Sequence, residues 1–152
     1  VGIYQLAIAG HEHNEIKGIN SAKLSIPYNV ALGLYVGLNN MAQYSEEAIQ
    51  EEALLDLCRK IVIYEDKELT ALCPRKRSAV VSVFTKSGTY ARCRVDDPKG
   101  EPENPLSEQE FLEKFTGLLE SCGYSSEKAL QLYEMSQTDI NYIQYMKDLR
   151  GE

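Results

Sequence analysis

The sequence lacks any apolar run long enough to cross a bilayer. It also lacks a CxxC pair. Its four cysteines, Cys58, Cys73, Cys93 and Cys122, lie 15, 20 and 29 residues apart, which offers no zinc spacing. Three of them fall in apolar periodic stretches, so reduced, partly buried thiols in a cytoplasmic protein are expected. There is no phosphate loop, no GxSxG elbow and no HExxH. Internal repeats and low-complexity tracts are absent as well. A basic stripe is missing too. Net charge is −7, and the excess is uneven: residues 1–95 carry 11 basic and 10 acidic groups, residues 96–152 carry 5 and 13. Such a surface repels phosphate backbones, so nucleic acid is not an expected partner.

What is present is a globular composition, with 43% apolar and 26% charged residues over 152 positions. That length suits one domain with a real core. The first residue is Val1, inside the strand-like run VGIYQLAIAG, which leads us to expect a piece of a longer chain.

VGIYQLAIAG reads as a buried strand ending at Gly10, and HEHNEIKGIN as a polar loop. A helix follows, with Ser25 placed to cap it and Pro27 tolerated in its first turn. Its expected stripe is Ile26, Val30, Ala31, Leu34, Tyr35 and Leu38, with Gly37, Asn39 and Asn40 as the stop. A second helix is expected from Ser45, with Leu54, Leu57, Cys58 and Ile61 inward. Ile61 to Tyr64 then reads as a strand, and Glu65 to Ser78 as a charged connection.

Ala79–Thr85 and Thr89–Val95 are rich in β-formers around Lys86-Ser87-Gly88, the pattern of a hairpin. In the second strand Tyr90, Arg92 and Arg94 alternate with Ala91, Cys93 and Val95, so one polar and one apolar face are expected. Ser107 with Glu110 forms a capping box before the stripe Phe111, Leu112, Phe115, Leu118, Leu119 and Cys122. Two more helices are expected, Ser126 to Met135 and Thr138 to Leu149. The order is that of an α+β fold with a small, partly antiparallel sheet.

Between hairpin and capping box stands PKGEPENPLSEQEFLEKF, with three prolines and a glycine in eight residues. It resembles the signature of the MmgE/PrpD family. SAKLSIPYNVALGLYVG, Ser21 to Gly37, is similar to a second motif of that family, and the two occur in the family's order. The resemblance implies a two-domain enzyme. Residues 1–106 would be part of its small α+β lid domain. Residues 107–152 would be a C-terminal tail returning to a helical domain absent from this chain. It further implies a homodimeric parent that dehydrates, decarboxylates or epimerises a small di- or tricarboxylate by moving a proton beside a carboxylate, with no metal or organic cofactor. The main catalytic groups of such an enzyme precede Val1, so none is assigned here. A non-catalytic α+β ligand-binding or interaction module is the alternative.

Substrate-binding candidates are His11, in the polar loop, and Lys23, Ser25 and Tyr28, around a helix N-terminus whose unpaired N–H groups and partial positive charge suit a carboxylate. Each has a plainer reading. His11 and His13 can be solvated loop residues, and a metal would need a further ligand. Ser25 can be a cap only, Lys23 solvated, and Tyr28 packed. Arg75-Lys76-Arg77 reads as a solvated loop, and Arg92 and Arg94 as partners of nearby acids.

Overall fold

The computed structural model describes residues 1–37, 41–137, 146, 147 and 150. Two compact units divide the chain, residues 1–105 and 106–152. The first holds a four-stranded sheet of β1 (Gly2–Ile3), β2 (Tyr64–Glu65), β3 (Ala79–Phe84) and β4 (Tyr90–Val95). Its order is β2-β1-β3-β4. β1 runs parallel to β2 and antiparallel to β3, and β3–β4 is an antiparallel hairpin. The fold is therefore α+β with a partly antiparallel sheet.

The hairpin forms where β-propensity and turn chemistry agree. Gly88 takes φ +87°, a conformation that L side chains rarely adopt. The Thr85 N–H donates to the Thr89 carbonyl at 2.9 Å, and the Thr89 N–H to the Thr85 hydroxyl at 3.0 Å. Pairs Val81–Cys93 and Val83–Ala91 set the expected alternation. The expected burial does not follow. All six β4 residues are exposed, because β4 is an outer strand. Its apolar side opens onto a cleft of about 430 Å³ shared with Val30, Gly33 and Leu34.

Four short helices and their neighbours revise the sequence reading of this unit. Only Gly2–Ile3 of the opening run is strand, and α1 (Gln5–Ile8) is a single helical turn. The Gln5 N–H is taken by the Thr70 hydroxyl, Leu6 is 77% exposed, and Gly10 at φ +81° closes the turn. α2 (Ile19–Leu24), an element not expected, takes the last two residues of the stretch read as loop and the four before Ser25, and α3 (Ile26–Val36) follows at once. α3 buries Pro27, Tyr28, Ala31 and Leu32, while Leu34 and Tyr35 are about half exposed. This helix is apolar nearly all round, so its pattern left the inward face open. Leu38, Asn39 and Asn40 lie outside the described residues.

From Ser45 the chain makes no long helix. The Ser45 hydroxyl accepts the Ala48 N–H and caps a 3₁₀ turn, Ala48–Gln50. Glu51 is extended, and α4 (Glu52–Cys58) begins there with Leu54 and Cys58 buried. β2 is two residues, later than the expected Ile61 start, and Val62 is 71% exposed. The charged connection contains α5 (Lys67–Leu72). The Asp66 carboxylate caps it by accepting from the Glu68 and Leu69 N–H groups, and Leu69 is fully buried. The main core joins α2, α3 and α4 through Ala22, Tyr28, Leu32, Leu54 and Cys58.

The proline-rich segment closes on itself. The Gly100 N–H donates to the Asn104 carbonyl, and the Asn104 side chain to the Asp97 carbonyl. Lys76 pairs with Asp97 at 3.1 Å and Arg77 with Glu101 at 3.0 Å, so these two cations are engaged rather than free in solvent. Arg94 donates to Asp96 at 2.7 Å.

In the second unit, α6 (Glu108–Ser121) starts with the expected capping box at Ser107 and Glu110. It ends in a Schellman motif: Gly123 at φ +91° donates to Glu120, and Tyr124 to Leu119. No α6 residue is fully buried, and Phe111 and Leu118 of the expected stripe are each 45% exposed. α7 (Ser126–Ser136) supplies the buried residues Ala129, Leu132 and Tyr133. The Phe115 ring meets Tyr133 edge-on at 5.6 Å. The further helix expected over Thr138 to Leu149 lies outside the described residues, but for Met146 and Lys147.

Two outcomes are expected. Leu132→Ala removes a fully buried side chain and should cost about 2–5 kcal/mol in urea unfolding, while Leu118→Ala costs less than about 1 kcal/mol. The Arg94 hydrogen bond, and secondarily one from Ser78, holds the Asp96 carboxyl below its usual range. The stabilising contribution is therefore complete above the ordinary Asp value of about 3.9 and lost as pH falls through the lower folded value. Asp96→Asn should flatten that acid limb of the unfolding midpoint plotted against pH.

Candidate functional site

An open cleft of about 590 Å³ lies between the first helical turn and the place where α2 hands over to α3. Leu6 and Ala7 of α1 form one side; Lys23, Ser25 and Asn29 form the other, with His11 between. Among the described residues, Lys23 is the one Lys, Arg, Asp or Glu side chain in the lining. The site thus favours an anion by composition.

The local sequence explains the handover. Ser25 is extended, at φ −83° and ψ 116°, and it serves as C-cap of α2 and N-cap of α3 together. Its side chain is fully buried. The hydroxyl donates to the His13 carbonyl at 2.6 Å and accepts from the Tyr28 N–H at 3.1 Å. A helix end leaves four carbonyls without intrahelical partners, and each of those of α2 has a side-chain nitrogen within 3.2 Å. His11 Nδ1 donates to the Leu24 carbonyl at 2.8 Å. His13 Nε2 lies 3.1 Å from the Ser21 carbonyl, with Nδ1 3.1 Å from that of Gly10. The Asn29 side chain donates to Ala22 and Lys23. The two histidines, each partly buried, therefore tie the loop to α2. Because His11 Nδ1 carries its proton toward a carbonyl, Nε2 is the nitrogen left for other partners.

Three candidates, His11, Lys23 and Ser25, come together at this cleft. Tyr28 does not join them. It is fully buried, its hydroxyl donates to the Gln43 carbonyl at 3.3 Å, and burial first, then Tyr44 and Cys58, pushes its pKa up. The Cys58 thiol is likewise pushed up by burial, with Arg59 opposing.

The expected open helix N-terminus is also revised. The Ile26 N–H donates to the His11 carbonyl, Pro27 has none, Tyr28 donates to the Ser25 hydroxyl, and Asn29 to the Ser25 carbonyl. With those donors engaged, the cleft offers an anion the Lys23 ammonium instead, while His11 Nε2, opposite the Nδ1–H, is placed to accept from a donor such as a hydroxyl. The Lys23 ammonium stands 5.8 Å from the centre of the Tyr44 ring, within cation–π range.

Sequence reasoning missed Asn29, a cleft residue whose one visible signal is a carboxamide inside the apolar run IPYNVALGLYV. Among the described residues no three His, Cys, Asp or Glu side chains form a group that could hold a metal. No helix among them is long and apolar enough to cross a membrane.

Ser25→Ala would leave the Tyr28 N–H and the His13 carbonyl without their buried partner. A loss of about 1–3 kcal/mol is expected from urea unfolding. A change within about 0.5 kcal/mol would show that the handover does not depend on this hydroxyl.

A search of curated proteins gave no match. Residues 3–138 match the family model of the MmgE/PrpD C-terminal domain. That span takes in both quoted motifs, the cleft, the hairpin, α6 and α7, and the chain belongs to the MmgE/PrpD C-terminal domain family.

Proposed function

We propose that this chain is the C-terminal part of an enzyme that acts on a small di- or tricarboxylate. The parent removes or delivers a proton beside a carboxylate, with dehydration, decarboxylation or epimerisation as the outcome. The observation that supports this most is the family match over residues 3–138, joined to a cleft whose described lining residues include a cation and no acid.

In this reading Lys23 neutralises a substrate carboxylate, and His11 Nε2 makes a second polar contact. Ser25 and Tyr28 act from within, by fixing the start of α3. The groups that move the proton belong to the part of the parent preceding Val1, so the chain alone is inactive. Residues 1–106 then form part of the lid domain, and residues 107–152 return to the helical domain of a cytoplasmic homodimer. A net charge of −7 agrees with a small-molecule partner rather than nucleic acid.

Two measurements test the proposal. The isolated chain should give no turnover of 2-methylcitrate or cis-aconitate, and measurable turnover would defeat the assignment of the chemistry elsewhere. In the full-length parent, Lys23→Gln should lower kcat/KM by about 10- to 100-fold, the worth of one charge-assisted contact. An unchanged kcat/KM would remove Lys23 from the substrate site.

A further inference from the structure

Asn29 makes more connections at the cleft than any anchoring role in α3 requires. Its carboxamide nitrogen lies within donating distance of three main-chain oxygens, Ala22 at 3.0 Å, Lys23 at 3.2 Å and Ser25 at 2.7 Å, so its two N–H groups serve three carbonyls with one of them shared. On the other side, its Oδ1 accepts the Tyr44 hydroxyl. The amide orientation follows from the network, since a flipped group would set an oxygen against three carbonyl oxygens.

These bonds reach Lys23 by two routes. One grips the Lys23 main chain where α2 ends. The other holds the Tyr44 ring, over which the Lys23 ammonium lies at 5.8 Å. A lysine on an exposed helix end ordinarily samples many rotamers. Here both its root and the aromatic platform for its head are tied to a single side chain. Tyr44 itself is 8% exposed, so the platform is firm.

We propose that Asn29 is the positioning residue of this cleft: it fixes the Lys23 backbone and the Tyr44 ring together, and so sets where the ammonium stands. Ordering the cation before a ligand arrives reduces the freedom lost on binding. The inference rests on the proposed role of Lys23 as the cation of the cleft.

The test needs no ligand and uses this chain. In proton NMR spectra the Lys23 Cε methylene should be displaced upfield by the Tyr44 ring. Tyr44→Leu should abolish that displacement. Asn29→Ala should abolish or strongly reduce it, with Tyr44 still present. Asn104→Ala, which removes a different side chain-to-carbonyl bond in the proline-rich segment, should leave it at the wild-type value. If Asn29→Ala does not fold, Asn29→Ser provides the same comparison. An undisplaced Lys23 methylene in the wild type, or a wild-type shift in either folded Asn29 variant, overturns the proposal. Failure of the substrate role would show instead as an unchanged kcat/KM in Lys23→Gln, with the ring-current result intact.

Discussion

One hydroxyl, that of Ser25, ends α2 and begins α3, and the cleft is built on that double duty. Two helices meeting at a single residue would bury orphan carbonyls of the first against orphan N–H groups of the second. Here the groups are satisfied from outside: His11 and His13 lean in from the preceding loop, and Asn29 reaches back from the next helix turn. Each carbonyl is met by a specific neighbour, at partly buried or exposed positions, so the contacts support one another. Rigidity at this point is a property of the whole set rather than of one bond.

That rigidity has a geometric use. α3 buries Tyr28, Ala31 and Leu32 in the core with Leu54 and Cys58 of α4, which settles the rotation of α3. Once the rotation is set, Asn29 and Val30 fall beside the first cleft, and Val30, Gly33 and Leu34 beside the apolar cleft over the hairpin. The unit is thus tightly satisfied in its polar interior while its apolar flanks stay wet, with Leu6, Val62 and Phe84 more than two thirds exposed.

Features decided by local chemistry were legible in the sequence. The Lys86-Ser87-Gly88 hairpin, the Ser107–Glu110 box and the Ser25 cap each depend on residues within a few positions of one another. Helices of six residues or fewer were not: α1, α2 and α5 complete too few turns to show a period, although Asp66 before Lys67-Glu68-Leu69 carried a cap signal. The phase of α3 was hidden because nearly every side chain on it is apolar. At the site, Lys23, Ser25 and His11 stood out by type and motif, whereas Tyr28 was placed by packing. Asn29 was not legible, since carbonyls at the end of a different helix, brought near only by the fold, give it its partners.

The outer strand of the hairpin carries a final consequence. β4 presents six residues whose far side bonds to nothing in the sheet. Arg92 and Arg94 share one face there, and only Arg94 has an ion-pair partner among the described residues, Asp96. A second molecule joining along this rim would align its own guanidinium groups beside these, and like charges side by side oppose such growth. With Arg94 already paired to Asp96, it is the Arg92 charge that would weigh most against such pairing along the open edge.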